Sequence, residues 1–402
     1  MTALPARRRR KNLFMLAVNV VALTLVAVLL FVGVVAVRDY TAAKNVASVV
    51  PVQRLPTTPT AMFATVNIDD ELTSVTMFVL APGGQAGGSI VSVPVNADAN
   101  SGLGTDRLSL RQAYASGGAD QLVLSVESVL SLTIDFANVA DPFTAGQILL
   151  PLGPLAVNLP RDVRHTVEGR GQLVFRKGDR KLSSPQAVEV LTGRDETETD
   201  LWRRPNIEAV WSGAATAIGS GLSGLAVSAA PASFDDVVAA LFSGPVGARG
   251  LPTSAIGAEL NPDNIDVELV DPIESILVFA SIAPAAMSAP APGLVFRIEA
   301  PPGYDDKVRK AIGLVLFFGG NVSSISLGAA ATPQTLMYLY DDRVRVEADA
   351  FNTLFGTIEF PVPTSRVEGA DLTLVLGLEY LQSPTDPVPP STTTPDPTES
   401  TP

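Results

Sequence analysis

The chain of 402 residues contains no cysteine and a single histidine, His165. Without cysteine there is no disulfide scaffold, no thiol nucleophile and no thiolate metal site. One histidine excludes multi-histidine metal centres, and any Ser-His-Asp triad would have to use it. His165 lies in "RDVRHTVEG" between expected strands and reads as a surface residue. Charge is sparse as well: 17% of residues are charged against 47% hydrophobic. The balance is −13, yet the first twelve residues carry +5, leaving −18 for the rest. A chain acidic beyond its N-terminus does not bind nucleic acid non-specifically.

Part of the apolar excess is one uncharged run from Leu13 to Val37, "LFMLAVNVVALTLVAVLLFVGVVAV". As a helix at about 1.5 Å per residue it is roughly 37 Å long, enough to cross a bilayer with some tilt. "RRRRK" before it predicts a cytoplasmic N-terminus (residues 1–12), a transmembrane helix over 13–37 and an extracytoplasmic remainder. A cleavable signal peptide is the competing reading, but the run is long and no A-x-A site follows. Residues 38–60 read as a linker. Residues 382–402, "QSPTDPVPPSTTTPDPTESTP", have a Pro/Thr composition that predicts disorder.

Two globular pieces lie between. The first, 61–235, opens with three β-branched runs, "AMFATVNID", "SVTMFVLAP" and "GGSIVSVPV". "RLSLRQAYASGG" reads as a helix stopped at Gly117–Gly118, and "ADQLVLSVESVLSL" as its successor. "GQLVFRKGDRKLSSPQAVEVLTG" reads as strand, turn and a helix with Ser184 as N-cap. "IEAVWSGAATAIGSG" is a further helix. The alternation predicts an α/β or α+β sandwich. The second piece, 292–381, reads as a small βαββαβ-like unit in which Lys307, Arg309 and Lys310 form the wet face of a helix. Residues 236–291 read as a connecting segment, with "IESILVFASIAP" as one more strand.

The most charged stretch, "LTGRDETETDLWRRP" (residues 191–205), has two readings. Arg194, Asp200, Arg203 and Arg204 either form ion pairs on an exposed loop or wall a site for a phosphate or lipid head. Asp69 and Asp70 are turn residues or metal ligands.

The first piece resembles the LytR–CpsA–Psr (LCP) family. "LRQAYASGGADQLVLSVESVLSLTIDF" matches its motif around "AyayGG". "LGPLAVNLP" and "LVFRKGDRKLSSPQAVEVLTGRDETETDLWRRPN" match two later motifs, in the family's order. "VFRIEAPPGYDDKVRKAIGLVLFFGGNVSSISL" and "GADLTLVLGLEYL" in the second piece resemble the LytR C-terminal domain. The resemblance implies a membrane-anchored enzyme that moves glycopolymers from polyprenyl-pyrophosphate carriers to peptidoglycan. In that family a slot takes the lipid, arginines hold the pyrophosphate, and carboxylates hold Mg²⁺.

The departures fall on the positions that carry this chemistry. Val75 stands where the family has a carboxylate on its second strand. Val95 and Asn96 replace the arginine and aspartate that follow its third strand, although Asp98 in "VNADAN" is near. Thr192 replaces the first residue of the Arg-x-Arg pair. Arg194 fits the second, Asp200 and Arg203 match the final Asp-x-x-Arg, and Asp69 keeps an acid after the first strand. Three functions stay open: a non-catalytic binder of a polyprenyl-phosphate lipid, a lipid-linked glycan or another envelope protein; an active Mg-dependent phosphotransferase with a rearranged site; and a structural anchor.

Overall fold

The computed structural model describes residues 51–100, 106–167, 169–195, 198–228, 230–289 and 292–383. The expected membrane segment, the basic residues before it and the tail from 384 lie outside these. Among the described residues no helix is long and apolar enough to cross a membrane.

The expected first three strands form: β1 (Thr60–Val66), β2 (Leu72–Ala81) and β3 (Gln85–Val93), consecutive and antiparallel. β4 (Phe136–Ala140) joins β1 in parallel. Alternate side chains of a strand point to opposite faces, and here both faces are covered. Ala61, Phe63, Phe78 and Leu80 belong to one core. Met62, Ala64, Met77 and Val79 belong to the other. β1 is therefore buried along its whole length, and between Thr60 and Thr65 its sequence is a continuous apolar run, Ala61–Ala64, rather than an alternating one.

The second face is covered by α1 (Leu110–Leu130), which begins at Ser109 with a capping box: Ser109 N donates to Gln112 Oε1 (2.9 Å) and Gln112 N to Ser109 Oγ (3.1 Å). Gly118 sits inside it at φ 68° and ψ −154°. The expected stop is thus a kink that joins two helical segments, at a conformation only glycine adopts without strain. The first face is covered by α2 (Pro142–Leu149), α3 (Ser184–Thr192) and α4 (Asp200–Ile218). Ser183, not Ser184, is the N-cap of α3; Ser184 is already helical. Between α2 and α3 lie two antiparallel pairs. β5 (Leu155–Leu159) pairs with β8 (Gly178–Leu182), and β6 (Val163–Val167) with β7 (Arg170–Phe175).

The first core is filled by aromatic rings. Phe63 and Phe78 stack at 5.7 Å between centroids, and Trp211 stands edge-on to both at 5.9 and 5.5 Å. Phe234 packs against the same pair at 6.0 and 6.1 Å. Such pairs contribute about 0.5–1.5 kcal/mol each beyond area burial. Phe234 opens α5 (Phe234–Phe242), a helix the sequence reading cut at 235. β9 (Val246–Gly250) then adds to β3 in parallel, completing a sheet of order β9-β3-β2-β1-β4. The first half of 236–291 is therefore sheet and core of the first piece rather than a connector.

Two short strands follow, β10 (Thr253–Ala255) and β11 (Glu268–Val270), paired antiparallel. "IESILVFASIAP" is not a strand: it lies mostly within α6 (Pro272–Ile282), whose N-cap Asp271 accepts from Ile273 N (2.9 Å) and Glu274 N (3.3 Å). The Asp-Pro pair at the N-cap and first turn is the signal that the apolar run obscured. α6 is apolar on two sides. Ile276 and Ala280 enter the core of the second piece, and Val278, Phe279 and Ala283 enter the core under the first sheet.

The second piece is built on β12 (Val295–Glu299), α7 (Asp305–Phe317), β13 (Asn321–Ser326), β14 (Thr335–Leu339), β15 (Ile358–Glu359) and β16 (Leu372–Val375). The sheet order is β13-β12-β16-β14-β15, with β14 antiparallel to β16 and the other neighbours parallel. The expected second helix is a string of single turns over 342–351, and the last expected strand ends at Val375. The basic face of α7 is not simply wet. Arg309 is bonded to Glu274 of α6, and Lys307 donates to Ser383 O at 2.7 Å.

Candidate functional site

The charged stretch 191–205 is not an exposed loop from end to end. α4 starts at Asp200, seven residues before the expected start at Ile207, so Asp200, Arg203 and Arg204 occupy its first turns and point inward. Their exposures are 3%, 6% and 8%. Pro205 lies inside this helix and lacks an N–H, which leaves the carbonyl of Leu201 without its helical partner. Arg161 Nη1 donates to that carbonyl at 3.4 Å and to Trp202 O at 3.2 Å, with its guanidinium 4.0 Å above the Trp202 ring.

Arg203 is bound on every nitrogen. Nε donates to Gly193 O (2.6 Å), Nη1 to Thr73 O (3.2 Å) and Nη2 to Leu191 O (3.3 Å). It ties the end of α3 to the start of β2. Asp200 lies 3.6 Å away. Burial pushes the Arg203 guanidinium down to about 10, with Arg111 and Arg194 acting the same way and Asp200 against them. Arg204 is also enclosed. It donates to Thr253 Oγ1 (2.8 Å), to Asn96 Oδ1 (3.2 Å) and to the Glu268 carboxylate. Its Nη2 is 3.6 Å from Asp200. Glu268 in turn accepts from Thr253 Oγ1 at 2.7 Å.

The opposite wall has become core. Val75 and Val95 are 1% exposed, and with Val93 and Ala97 they pack in the core under the sheet. The β10–β11 pair lies along this wall. Glu268 N donates to Asn96 O and Asp98 N to Glu268 O, both at 2.9 Å, and Arg107 Nε donates to Leu260 O at 2.6 Å. Asp98 is fully buried in an ion pair with Arg107 at 2.6 Å. The segment thus runs beside Asn96 and Asp98, next to the buried Val95. Thr192 turns its hydroxyl back to Val188 O (2.9 Å).

Arg194 remains partly open, 25% exposed, with one contact to Glu71 Oε2 at 3.1 Å. Beside it is a residue that sequence reasoning passed over. Arg111 of α1 donates Nε to Leu72 O at 3.1 Å and is half-buried. Its pKa is lowered, first by burial and then by the charge of Arg194. "LRQAYASGG" carried no signal for it, because a basic residue in the first turn of an amphipathic helix reads as solvated. Asp69 and Asp70 are exposed in the turn between β1 and β2, where Asn67 Oδ1 accepts from Asp69 N (3.0 Å) and Glu71 N (2.8 Å). Asp70 accepts from Tyr114 OH at 2.8 Å. His165 lies on β6, half-buried, with Nε2 2.9 Å from Glu189 O. A Cβ on Gly193 would meet that Nε2 at 2.1 Å, so only glycine lets the end of α3 pass His165.

A cavity of about 370 Å³ opens elsewhere, lined by Thr57–Pro59, Thr133, Asp135, Phe136, Pro231 and Ala285–Ala286. No arginine of the cluster lines it. Among the described residues no group of three or more acids or histidines is placed to hold a metal ion.

No protein-family model matches the chain, and no curated protein matches it in sequence. Solved structures do. The chain is similar to TagV of B. subtilis at 16% identity and a TM-score of 0.39, covering 56% of this chain and 94% of that one. It is similar to a LytR-Csp2A-Psr enzyme from Actinomyces oris at 16% identity and a TM-score of 0.40, covering 60% and 97%. It is similar also to TagT bound to LIIa-WTA, at 16% identity and a TM-score of 0.39, covering 55% and 88%. The proteins to which the chain is similar in structure are members of the LytR–CpsA–Psr family.

Proposed function

We propose that the chain is an extracytoplasmic, membrane-anchored protein of LCP type that serves cell-envelope assembly by binding a polyprenyl-phosphate-linked glycan without turning it over. The family resemblance of the sequence supports the envelope role, and the apolar run 13–37 supports the anchor. The observation that carries the non-catalytic reading is the state of Arg203. All three of its nitrogens donate to backbone carbonyls and the side chain is 6% exposed, so the guanidinium is turned into the protein rather than toward a phosphate. Asp200 faces two guanidinium groups, and Asn96, in the place of an acid, accepts from one of them.

Magnesium, which the resemblance implies for an active member, does not fit this donor set. A hard cation is held by free carboxylate oxygens. Here one carboxylate is paired with arginines and two family acids are replaced by Val75 and Asn96. No chemical step is therefore derived through a metal.

The test uses the full chain in detergent. It is expected to bind vesicles containing polyprenyl monophosphate over neutral vesicles, and to release no phosphate from a polyprenyl-pyrophosphate substrate in the presence of Mg²⁺. Turnover lost on Arg194→Ala and Arg203→Ala would contradict the non-catalytic reading. Equal binding to neutral and phosphate-bearing vesicles would contradict the ligand.

A further inference from the structure

Three arginines from three separate elements converge on three consecutive residues at the start of β2. Arg194, after α3, bonds the Glu71 carboxylate at 3.1 Å; Arg111 of α1 bonds Leu72 O at 3.1 Å; Arg203 of α4 bonds Thr73 O at 3.2 Å. Arg203 is interior and bonded through all three nitrogens. The other two are not. Each guanidinium carries five N–H groups. Among the described residues, Arg111 uses one, through Nε, and Arg194 uses one, through Nη1. Both nitrogens at the tip of Arg111, and Nε and Nη2 of Arg194, have no hydrogen-bond partner among the described residues. Asp200 and Asp266 lie within electrostatic reach of Arg111 and are not hydrogen-bonded to it. Glu71, whose side chain is 48% exposed, is the counter-ion an incoming anion would displace.

Two partly satisfied guanidinium groups anchored on adjacent residues, Arg111 on Leu72 O and Arg194 on the Glu71 carboxylate, form a receptor for an oxyanion. Planar forks meet phosphate oxygens in pairs, and an oxyanion relieves the repulsion between the forks. We propose that Arg111 and Arg194 bind the phosphate of the ligand directly, without a metal ion, and that Arg111 supplies from α1 the cation that the wall at Val95 does not. This rests on the function proposed above for its ligand, but it assigns a residue and a metal requirement of its own. Glu71 and Asp200 are each paired with arginine, so neither is left to bridge a divalent cation to the phosphate.

The experiment measures binding of farnesyl phosphate, a soluble prenyl monophosphate, to the full chain in detergent by calorimetry, in EDTA and in MgCl₂. The dissociation constant is expected to agree within about twofold between the two buffers. Arg111→Gln and Arg194→Gln are each expected to weaken binding about tenfold, the effect of losing a charge-assisted pair of hydrogen bonds. Arg180→Gln, on an exposed arginine of β8, is expected to bind as wild type. Near-wild-type Tm for Arg194→Gln separates loss of the site from loss of the fold. Binding that requires Mg²⁺, or that is unchanged in Arg111→Gln, overturns the proposal. If polyprenyl-phosphate vesicles still bind the Arg111→Gln chain, this site is wrong and the function stands. If vesicles do not bind the wild-type chain but farnesyl phosphate binds through Arg111, the site stands and the lipid is wrong.

Discussion

Arg203 shows how one residue type in one motif serves opposite purposes. A guanidinium aimed at a cleft grips phosphate; the same group turned into the protein ties three carbonyls. Arg203→Ala would leave three buried carbonyls and Asp200 short of a partner, so it is expected to destabilise the chain by about 3–5 kcal/mol, measured by urea unfolding. Arg203→Lys keeps the charge but cannot reach three acceptors and is expected to recover only part of that loss. The residues Asp200, Arg203 and Arg204 were legible in the sequence as a group. Their burial was not, because Pro205 concealed the start of the helix. Two tyrosines provide a pH test at the same scale. Tyr114, through burial and its bond to Asp70, and Tyr380, through burial, are both pushed up to about 12. Because the folded values lie above the unfolded one, the stability they contribute is full below about pH 10 and is lost as pH rises toward 12. An absorbance titration of the folded chain should show two tyrosines ionising late, and Tyr114→Phe should remove one of them.

At the scale of elements, the strands and helices of the first sheet follow from periodicity and caps. The misreadings have local causes. α6 was taken for a strand because eleven residues with few polar groups carry no helical stripe when both sides of the helix are buried. Asp271→Ala should cost about 1 kcal/mol through loss of that cap, read as a lowered urea midpoint. Gly118 was read as a helix stop and is a kink. Nothing lies within 4 Å of a Cβ added there, so the cost of Gly118→Ala is backbone strain alone, about 1–3 kcal/mol. The β10–β11 pair was not legible at all. Its strands are three residues each, and what holds them is distant in sequence: Asn96, Asp98, Arg107 and Arg204.

At the scale of the whole molecule, the two pieces read from the sequence are less independent than their motifs suggest. α6 places side chains in both cores, and Arg309 binds α7 to it. Phe279, wholly buried under the first sheet, should cost about 3–5 kcal/mol when replaced by alanine. The loss should appear in a single unfolding transition followed alike by fluorescence and circular dichroism. The covered wall belongs to this scale as well. Val75 and Val95, neutral where the resemblance implies charged residues, are core side chains in the fold.

The central claim is that this LCP-like chain has no working phosphotransfer site. It is tested most directly by incubating the full chain with a polyprenyl-pyrophosphate-linked glycan and Mg²⁺ and following release of the lipid phosphate. The expected result is a rate indistinguishable from that of the protein-free control, with the lipid still bound. A rate above that control, abolished by Arg194→Ala in a chain that remains folded, would contradict it.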